Sequence, residues 1–144
     1  MSEAQQRPAI PQDMKAFNRR LIEDFRAHHG ELTGEMKGGK LILLTTTGVR
    51  TGEPRTVVIG YRKRGEDLVA IASNNGAAEH PSWYRNLLAD PHATVEVGPE
   101  KFEVEARTAE PGERDELAKL VDYFDRQQKL TKREIPFVVF ERVG

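Results

Sequence analysis

The stretch Leu43–Arg55 reads LLTTTGVRTGEPR, and it joins an apolar strand directly to a basic turn that contains two glycines. Gly48 and Gly52 permit a tight turn with an exposed backbone, and Arg50 and Arg55 flank that turn. Exposed amides and guanidinium groups bind phosphates and carboxylates. Because the same pattern also makes an ordinary solvent-exposed hairpin turn, the stretch alone leaves both interpretations open.

Working outward from this turn, the sequence shows short strand patterns separated by turn signals. Apolar or alternating residues predict strands at about 41–46, 56–63, 68–73, 93–97, 102–106 and 135–140. The third has no polar alternation, so we expect it to be covered on both faces. Six mostly antiparallel strands with short links favour a closed barrel over an open sheet, since closure removes exposed edges.

Three helices are predicted around these strands. Residues 12–28 form an amphipathic helix, whose apolar stripe either packs on the domain or lies on an anionic membrane surface. A short helix begins near Pro81, which suits a first turn, and ends before Asp90-Pro91. A long helix over about 112–128 carries one apolar face and closes over the sheet.

Composition limits the class of protein. The 144 residues suit one domain, and we expect a flexible lead-in over 1–11 followed by a single domain over 12–144. The chain has no cysteine, and its four histidines lack a metal-binding spacing, so no metal site is predicted. A net charge of -1 gives no case for nucleic-acid binding. With no signal-peptide core and no membrane-length apolar run, we expect a cytoplasmic protein that is at most peripheral to a membrane.

A second segment makes the first more informative. Residues 72–87 read ASNNGAAEHPSWYRNL, a strand end that leads into the short helix. With the basic turn, the segment TVEVG at 94–98 and the segment TKREIP at 131–136, it resembles the deazaflavin-dependent nitroreductase family. The fold expected from this resemblance and from the patterns is α+β and mainly β. It is a six-stranded, mostly antiparallel split β-barrel of the flavin-reductase type with an N-terminal amphipathic helix, a short inserted helix and a long C-terminal helix.

The resemblance also implies a chemistry and a site. It implies an F420-dependent oxidoreductase that transfers a hydride from reduced coenzyme F420 to a quinone, enone-type or nitroaromatic acceptor. The residues implied for the coenzyme are Arg50, Thr51, Gly52 and Arg55 for its anionic tail, and Ser73, Asn74, Trp83 and Asn86 beside its ring. Ser73 is also the candidate catalytic residue, because its hydroxyl can hydrogen-bond the acceptor. Tyr123, Phe124 and Gln127 are implied for the acceptor pocket.

Simpler roles stay open for several of these residues. A lone tryptophan such as Trp83 is often plain core, and Phe124 continues the apolar stripe of its helix. FMN or FAD is the alternative cofactor, and a non-catalytic deazaflavin-binding module is an alternative function. An RNA-binding barrel is a weaker alternative, because basic and aromatic residues do not interleave on the strands. Split barrels of this kind are frequently dimers, so a homodimer is possible.

Overall fold

The computed structural model describes residues 14–28 and 40–143, and the centre of this part is a curled antiparallel sheet. Its strands are β1 (Leu41–Thr47), β2 (Pro54–Gly60), β3 (Arg62–Arg64), β4 (Asp67–Ile71), β5 (His92–Val97), β6 (Glu100–Thr108) and β7 (Phe137–Arg142). The strand order is β2-β1-β5-β6-β7-β4-β3, and each neighbouring pair is antiparallel. The lead-in predicted for residues 1–11 lies outside the described residues.

Four α-helices in the described part of the chain accompany the sheet. They are α1 (Met14–Ala27), α2 (Ser82–Ala89), α3 (Arg114–Leu120) and α4 (Phe124–Gln128), with short 3-10 turns at Asn74–Gly76 and Pro111–Glu113. The predicted helix after Pro81 is confirmed, and Pro81 is its N-terminal cap in extended conformation. No helix in this part of the chain has the length and hydrophobicity that a membrane crossing requires.

The predicted number of strands was wrong by one. The run predicted as one strand over 56–63 is divided into β2 and β3 at Tyr61. The Tyr61 amide bonds to the Lys40 carbonyl at 3.2 Å beside β1, while the next residue, Arg62, already pairs with Val69 of β4. These two strands lie at opposite edges of the strand order, yet a single residue joins them. The sheet must therefore curl until its edges meet at Tyr61, which gives the split-barrel shape.

Two strands are buried on both faces, as predicted for β4. Leu68 and Ala70 of β4 point into the barrel core, while Val69 and Ile71 join a second apolar cluster under α3 and α4. In the same way β1 sends Ile42 and Leu44 into the barrel and Leu43 to the outside, against α1. These strands therefore read as continuous apolar runs in the sequence.

Helix α1 packs on the sheet with its apolar stripe. Phe25 is 1% exposed against Leu43, and Leu21 and Ile22 pack beside it. The guanidinium of Arg26 donates two hydrogen bonds to the carboxylate of Glu96 on β5, at 3.0 and 2.7 Å. The described residues of this helix thus take the packing role, and they give no support to the membrane-surface alternative.

The prediction of one long C-terminal helix was wrong. The chain forms α3 and α4 with a break at Val121, whose φ of -92° and ψ of 90° are extended. The break lets Asp122 and Tyr123 turn toward the start of β3, where Arg62 donates to the Asp122 carboxylate at 2.7 Å and lies over the Tyr123 ring. Because the apolar stripe continues across the break through Val121 and Phe124, periodicity alone could not show it.

One carboxylate ties β3 and β6 to the connection that precedes α3. Glu113 accepts hydrogen bonds from Arg107 at 2.7 and 3.1 Å, from Arg64 at 3.0 Å, and from the backbone amide of Glu110 at 2.8 Å. These donors, with Arg107 first, lower the pKa of Glu113 from 4.5 to about 2. Glu113 therefore binds a proton less tightly in the folded state than in the unfolded state.

This difference predicts a specific loss of stability in acid. The contribution of Glu113 is complete above pH 4.5 and is lost as the pH falls through about 2, because the unfolded state binds the proton more tightly. Denaturant unfolding from pH 7 to pH 2 should show a shallower acid loss for Glu113→Gln than for the wild-type chain. Glu105→Gln, an exposed carboxylate on β6, is the control and should follow the wild type. Equal acid slopes for wild type and Glu113→Gln would contradict this assignment.

Candidate functional site

The predicted site residues lie on connections that leave the sheet at one end, except Arg55, which lies at the start of β2. Strands β1, β4 and β6 run in the same direction, because each is related to the next by two antiparallel pairings. The connections 48–53, 72–91 and 109–136 therefore all leave the sheet at the carboxyl end of these strands, here called the site end. Loops gathered at one end of a rigid sheet are a common place for function.

The basic turn at 48–53 is tight and has a fixed backbone. The Gly48 amide donates to the Glu53 carbonyl at 2.8 Å, and the Gly52 amide donates to the Gly48 carbonyl at 2.9 Å. Thr51 uses its hydroxyl to accept from the Glu53 amide at 3.2 Å. Gly52 has a φ of +72°, a conformation that glycine adopts without strain. The sequence prediction of a tight glycine turn is thus met by these hydrogen bonds.

The two arginines of the turn are exposed to solvent. Arg50 and Arg55 are both exposed, and the Arg55 guanidinium lies 3.9 Å from the Glu53 carboxylate. Since both side chains of that pair are more than half exposed, the pair contributes little to stability. The guanidinium groups are therefore accessible to an external anion at the site end.

Asn86 connects helix α2 to this turn. Its Oδ1 accepts a hydrogen bond from the Val49 amide at 3.2 Å, and its Nδ2 donates to the Thr46 hydroxyl at 3.0 Å. Thr46 and Asn86 are 2% and 7% exposed. Buried polar groups are costly unless they are paired, so these bonds fix the amide group of Asn86. In this structure Asn86 positions the turn and its side chain already has two protein partners.

The loop from Ala72 to His80, here called the 72–80 loop, has an unusual backbone. Asn74, Asn75 and Gly76 have φ values of 50°, 54° and 81°. Left-handed conformations at residues other than glycine cost energy, and they concentrate at functional sites. A Cβ at position 76 would clash with the side chain of Leu130. This loop carries Ser73, which is half-buried, and Asn74, whose Nδ2 donates to the Glu79 carbonyl at 3.0 Å.

Arg133 holds the 72–80 loop, a role that the sequence patterns did not predict. Its guanidinium donates to the carbonyls of Ala72, Ser73 and Ala77 at 3.2, 2.8 and 3.2 Å, and to Nδ1 of His80 at 2.7 Å. Burial, followed by the charges of Arg133 and Arg85, lowers the pKa of His80. In the sequence, Arg133 was marked only by the segment TKREIP, which was part of the family resemblance but does not indicate what Arg133 binds.

Trp83 and Phe124 lie in the hydrophobic core. Trp83 is 8% exposed and its ring is 6.4 Å from that of Phe140 in the barrel cluster. Phe124 is 7% exposed and its ring is 4.4 Å from that of Phe137 in the cluster under α3 and α4. Both residues therefore have the core contacts that the sequence analysis gave as the simpler role.

Tyr123 and Gln127 have environments that differ from those of their neighbours. Tyr123 is half-buried, with Arg62 at 4.9 Å over its ring, and burial raises the pKa of its phenol. It stands near a cavity of about 520 Å³ lined by Lys40, Tyr61, Arg62, Lys63, Leu120 and Asp122. The buried Oε1 of Gln127 has no hydrogen-bond partner among the residues that the structure describes.

A smaller cavity lies between α2 and β6. It measures about 220 Å³ and is lined by Tyr84, Leu87, Leu88, Pro91, Ala106, Arg107, Thr108 and Val138. The Tyr84 hydroxyl and the Thr108 hydroxyl are 2.7 Å apart beside it. No predicted site residue lines either cavity. Hydrogen bonds join the basic turn to Asn86, and they join the loop that carries Ser73 and Asn74 to Arg133.

The hydrogen bonds of Asn86 predict a specific effect on stability. Asn86→Ala leaves the buried Thr46 hydroxyl and the Val49 amide without this partner, so we expect a loss of about 1–3 kcal/mol in the free energy of unfolding. Chemical denaturation measures this loss. Arg85→Ala, on the exposed face of the same helix, is the control and should lose much less. A loss for Asn86→Ala no larger than that control would show that the two bonds do not hold the turn.

Comparison with known proteins gives this arrangement a family. The sequence profile of the F420H(2)-dependent quinone reductase family matches residues 17–142. The Mycobacterium tuberculosis (strain ATCC 25618 / H37Rv) protein described as F420H(2)-dependent quinone reductase Rv1261c is 33% identical over 126 residues, which cover 82% of this chain and 85% of that protein.

Solved structures agree with this match. A structure described as an F420-H2 dependent reductase (FDR-A) is 30% identical with a TM-score of 0.63, covering 71% of this chain and 94% of that one. A second, described as a domain-swapped dimer, is 26% identical with a TM-score of 0.65, covering 92% of this chain and 100% of that one. The family match supports F420 and gives no support to FMN or FAD. The chain belongs to the F420H(2)-dependent quinone reductase family.

Proposed function

We propose that this protein reduces a quinone with coenzyme F420H2 and that the site end of the sheet holds both molecules. The family match supports the class of reaction. The observation that carries the placement is the exposed arginine turn, whose backbone is held by the buried Asn86. Enone-type and nitroaromatic compounds remain further candidate acceptors, because they too accept a hydride at an electron-poor carbon.

The residues of the turn fit the anionic tail of the coenzyme. Arg50 and Arg55 offer exposed guanidinium groups, which form charge-assisted, often bidentate, hydrogen bonds to phosphates and carboxylates. Thr51 and Gly52 lie between them on a backbone that is already ordered. A preformed turn loses little conformational entropy when it binds an anion. The phosphate and the first carboxylates of the tail are the groups that these residues would hold.

The 72–80 loop would hold the reacting ends of the two molecules. When bound, F420H2 supplies the hydride that reduces the acceptor. The Ser73 hydroxyl is half-buried at the end of β4 and can donate a hydrogen bond to a quinone carbonyl oxygen, where negative charge develops during reduction. Asn74 would contribute its backbone to the polar edge of the ring. The strained, fixed backbone of the loop would keep these donors in place.

Gln127 supports the placement of a ligand near α4. A buried carbonyl oxygen without a donor is costly, and ligands commonly satisfy such groups. An N–H of the coenzyme ring or an O–H of the reduced acceptor would supply the missing donor. Tyr123 would stand on the same wall, whereas Phe124 would shape it from the core beneath.

Trp83 and Asn86 would support the coenzyme from behind. Trp83 fills the core under α2, and Asn86 fixes the turn rather than offering its own amide group.

The likeness to a structure described as a domain-swapped dimer supports a homodimer for this chain as well. Light scattering at several concentrations tests that assembly.

An anaerobic turnover assay tests the proposed function. Oxidation of F420H2 by a benzoquinone, followed by the return of deazaflavin absorbance, should be saturable in both reactants and should need the protein. Reduced FMN in place of F420H2 should give no comparable saturation. Tight F420 binding without faster oxidation by any acceptor would favour the non-catalytic binding module instead.

The turn assignment predicts the effect of Arg55→Ala on the coenzyme. We expect affinity to fall by about 1.5–3 kcal/mol, the value of a hydrogen bond to a charged group, which is roughly 10- to 150-fold in Kd. Folding should survive, because the Arg55 side chain is exposed. Arg142→Ala, at the opposite end of the sheet, is the matched control and should keep the wild-type Kd. An unchanged Kd for Arg55→Ala would remove the turn from the coenzyme site.

The unpartnered atom of Gln127 predicts opposite effects on stability and activity. Gln127→Met removes a buried acceptor and keeps the length of the side chain, so the free energy of unfolding should stay constant or rise by up to about 3 kcal/mol. The value of kcat/KM with the benzoquinone should fall. Arg126→Met, the exposed neighbour on α4, should change neither quantity. A variant at 127 that keeps full kcat/KM would place Gln127 outside the site.

A further inference from the structure

One cation joins the two ends of the 72–80 loop. The three guanidinium nitrogens of Arg133 all donate to this loop: Nη1 and Nη2 to carbonyls at its start, at 3.2 and 2.8 Å, and Nε to the Ala77 carbonyl at 3.2 Å. Nη1 also donates to Nδ1 of His80 at 2.7 Å. The planar, branched shape of arginine is what allows one side chain to reach four acceptors, and lysine has no such fork.

Arg133 is itself fixed to helix α4. The Gln128 side chain donates from Nε2 to the Arg133 carbonyl at 2.7 Å and accepts at Oε1 from the Ile135 amide at 3.0 Å. The Arg133 amide donates to the Thr131 hydroxyl at 3.1 Å. Gln128 is the neighbour of Gln127 on α4, so these bonds connect the proposed acceptor wall to the loop that carries Ser73.

The loop needs an external constraint to keep its conformation. Asn74 and Asn75 have left-handed backbones, which residues other than glycine adopt infrequently. Within the loop the Gly76 and Ala77 amides bond to the carbonyls of Ser73 and Asn74. Those local bonds form a single 3-10 turn, and the Asn74 side chain adds one bond to the Glu79 carbonyl across the loop. From the last connection, the Ala72 amide bonds to the Pro136 carbonyl at the start of the loop, and Arg133 is the side chain that bonds to both ends.

We propose that Arg133 is a positioning residue for the coenzyme and acceptor site, and that neutral His80 completes its hold on the 72–80 loop, so that protonation of His80 releases the loop. The inference rests on the proposed function for the identity of the coenzyme. Arg133 touches neither reactant in this account. It acts through Ser73 and Asn74, whose backbone it places.

The state of His80 follows from the groups around it. Because Arg133 donates to Nδ1, the imidazole must be neutral with its proton on Nε2. The groups that face it are the cations Arg133 and Arg85 and the ring of Tyr84 at 4.9 Å, while the Glu79 carboxylate beside it on the loop is exposed. A protonated His80 would have no lone pair on Nδ1 to accept the hydrogen bond from Arg133. Its positive charge would also repel those of Arg133 and Arg85.

The direction of the pH effect follows from these contacts. Burial and the two arginines lower the pKa of His80 below 6.5, so the closed loop binds the proton less tightly than an open loop does. The hold on the loop is complete above pH 6.5 and weakens as the pH falls below that value through the pKa of the closed form.

Amide hydrogen exchange tests the hold without any coenzyme. At pH 7.5, Arg133→Lys should lower the protection factors of the Gly76 and Ala77 amides by about tenfold or more, the effect of losing hydrogen bonds to a charged donor. The Asp90 amide, bonded within α2, is the internal control. Lys132→Ala, the exposed neighbour, should behave as wild type. Unchanged protection of the two loop amides would overturn the proposal.

The wild-type chain at pH 5.5 and 7.5 tests the role of His80 without a destabilising substitution. Loop protection factors should fall at the lower pH in the wild type, and His80→Asn should remove this dependence, because its Oδ1 accepts near the position of Nδ1 and does not titrate. A dependence that survives in His80→Asn would overturn the part played by His80.

Coenzyme titration then separates a positioning role from a merely structural one. Arg133→Lys should weaken F420 binding by about tenfold and lower kcat with the benzoquinone, and His80→Asn should flatten the pH profile of the Kd. Lower loop protection with an unchanged Kd and kcat would overturn the positioning role. A wild-type chain that does not bind F420 would overturn the proposed function, while the exchange results would still decide whether Arg133 and His80 hold the loop.

Discussion

The proposed site depends on two hydrogen bonds that Asn86 makes inside the protein. They join helix α2 to Thr46 at the end of β1 and to the Val49 amide of the basic turn, and both Asn86 and Thr46 are buried. Without them the turn would be an ordinary exposed hairpin end, which was the alternative that the sequence left open. Because the helix that carries Asn86 is packed into the barrel core by Trp83, Tyr84 and Leu87, the turn inherits the rigidity of the core.

Because the sheet is curled, helix α2 can contact two of its strands, β1 and β6, at the same end. Strands β2 and β3 lie at opposite edges but are joined by Tyr61, so the sheet folds back on itself and its loops converge. At the site end, α2 contacts β1 through Asn86 and β6 through the pairing of the Tyr84 and Thr108 hydroxyls at 2.7 Å. Arg133 provides the matching connection between the last long link and the 72–80 loop. Elements distant in the sequence are thus held at fixed separations, as a site for two small molecules requires.

Much of the fold could be predicted from the sequence, because it rests on local patterns. Two-sided burial made β4 a continuous apolar run, and Pro81 marked the start of α2. The breaks could not be predicted in this way. The apolar stripe of the C-terminal helix continues across Val121, and the break at Tyr61 is caused by the two edges of the sheet meeting. Both depend on tertiary contacts that periodicity does not record.

The candidate site likewise contains residues that local sequence patterns indicated and residues whose roles only tertiary contacts revealed. The turn was visible because its glycines and arginines are adjacent in the sequence. The role of Arg133 was not, because its acceptors lie 53 to 61 residues away and most are backbone carbonyls, which carry no sequence signature. Asn86 was expected beside the coenzyme, and the structure shows that its amide group also bonds to Thr46 and Val49 within the protein. Sequence patterns indicated the segments of the candidate site, but hydrogen-bond geometry was needed to separate groups that can face a ligand from groups that hold others in place.

The central claim is that the site end binds the deazaflavin coenzyme, and a side-by-side titration of the full chain with F420 and with FMN tests it most directly. Coenzyme fluorescence and the quenching of Trp83, the single tryptophan, would be followed together. We expect saturable binding of F420 with a Kd of the order of micromolar and no saturation with FMN at the same concentrations. Binding of FMN in preference to F420, or of neither, would contradict it.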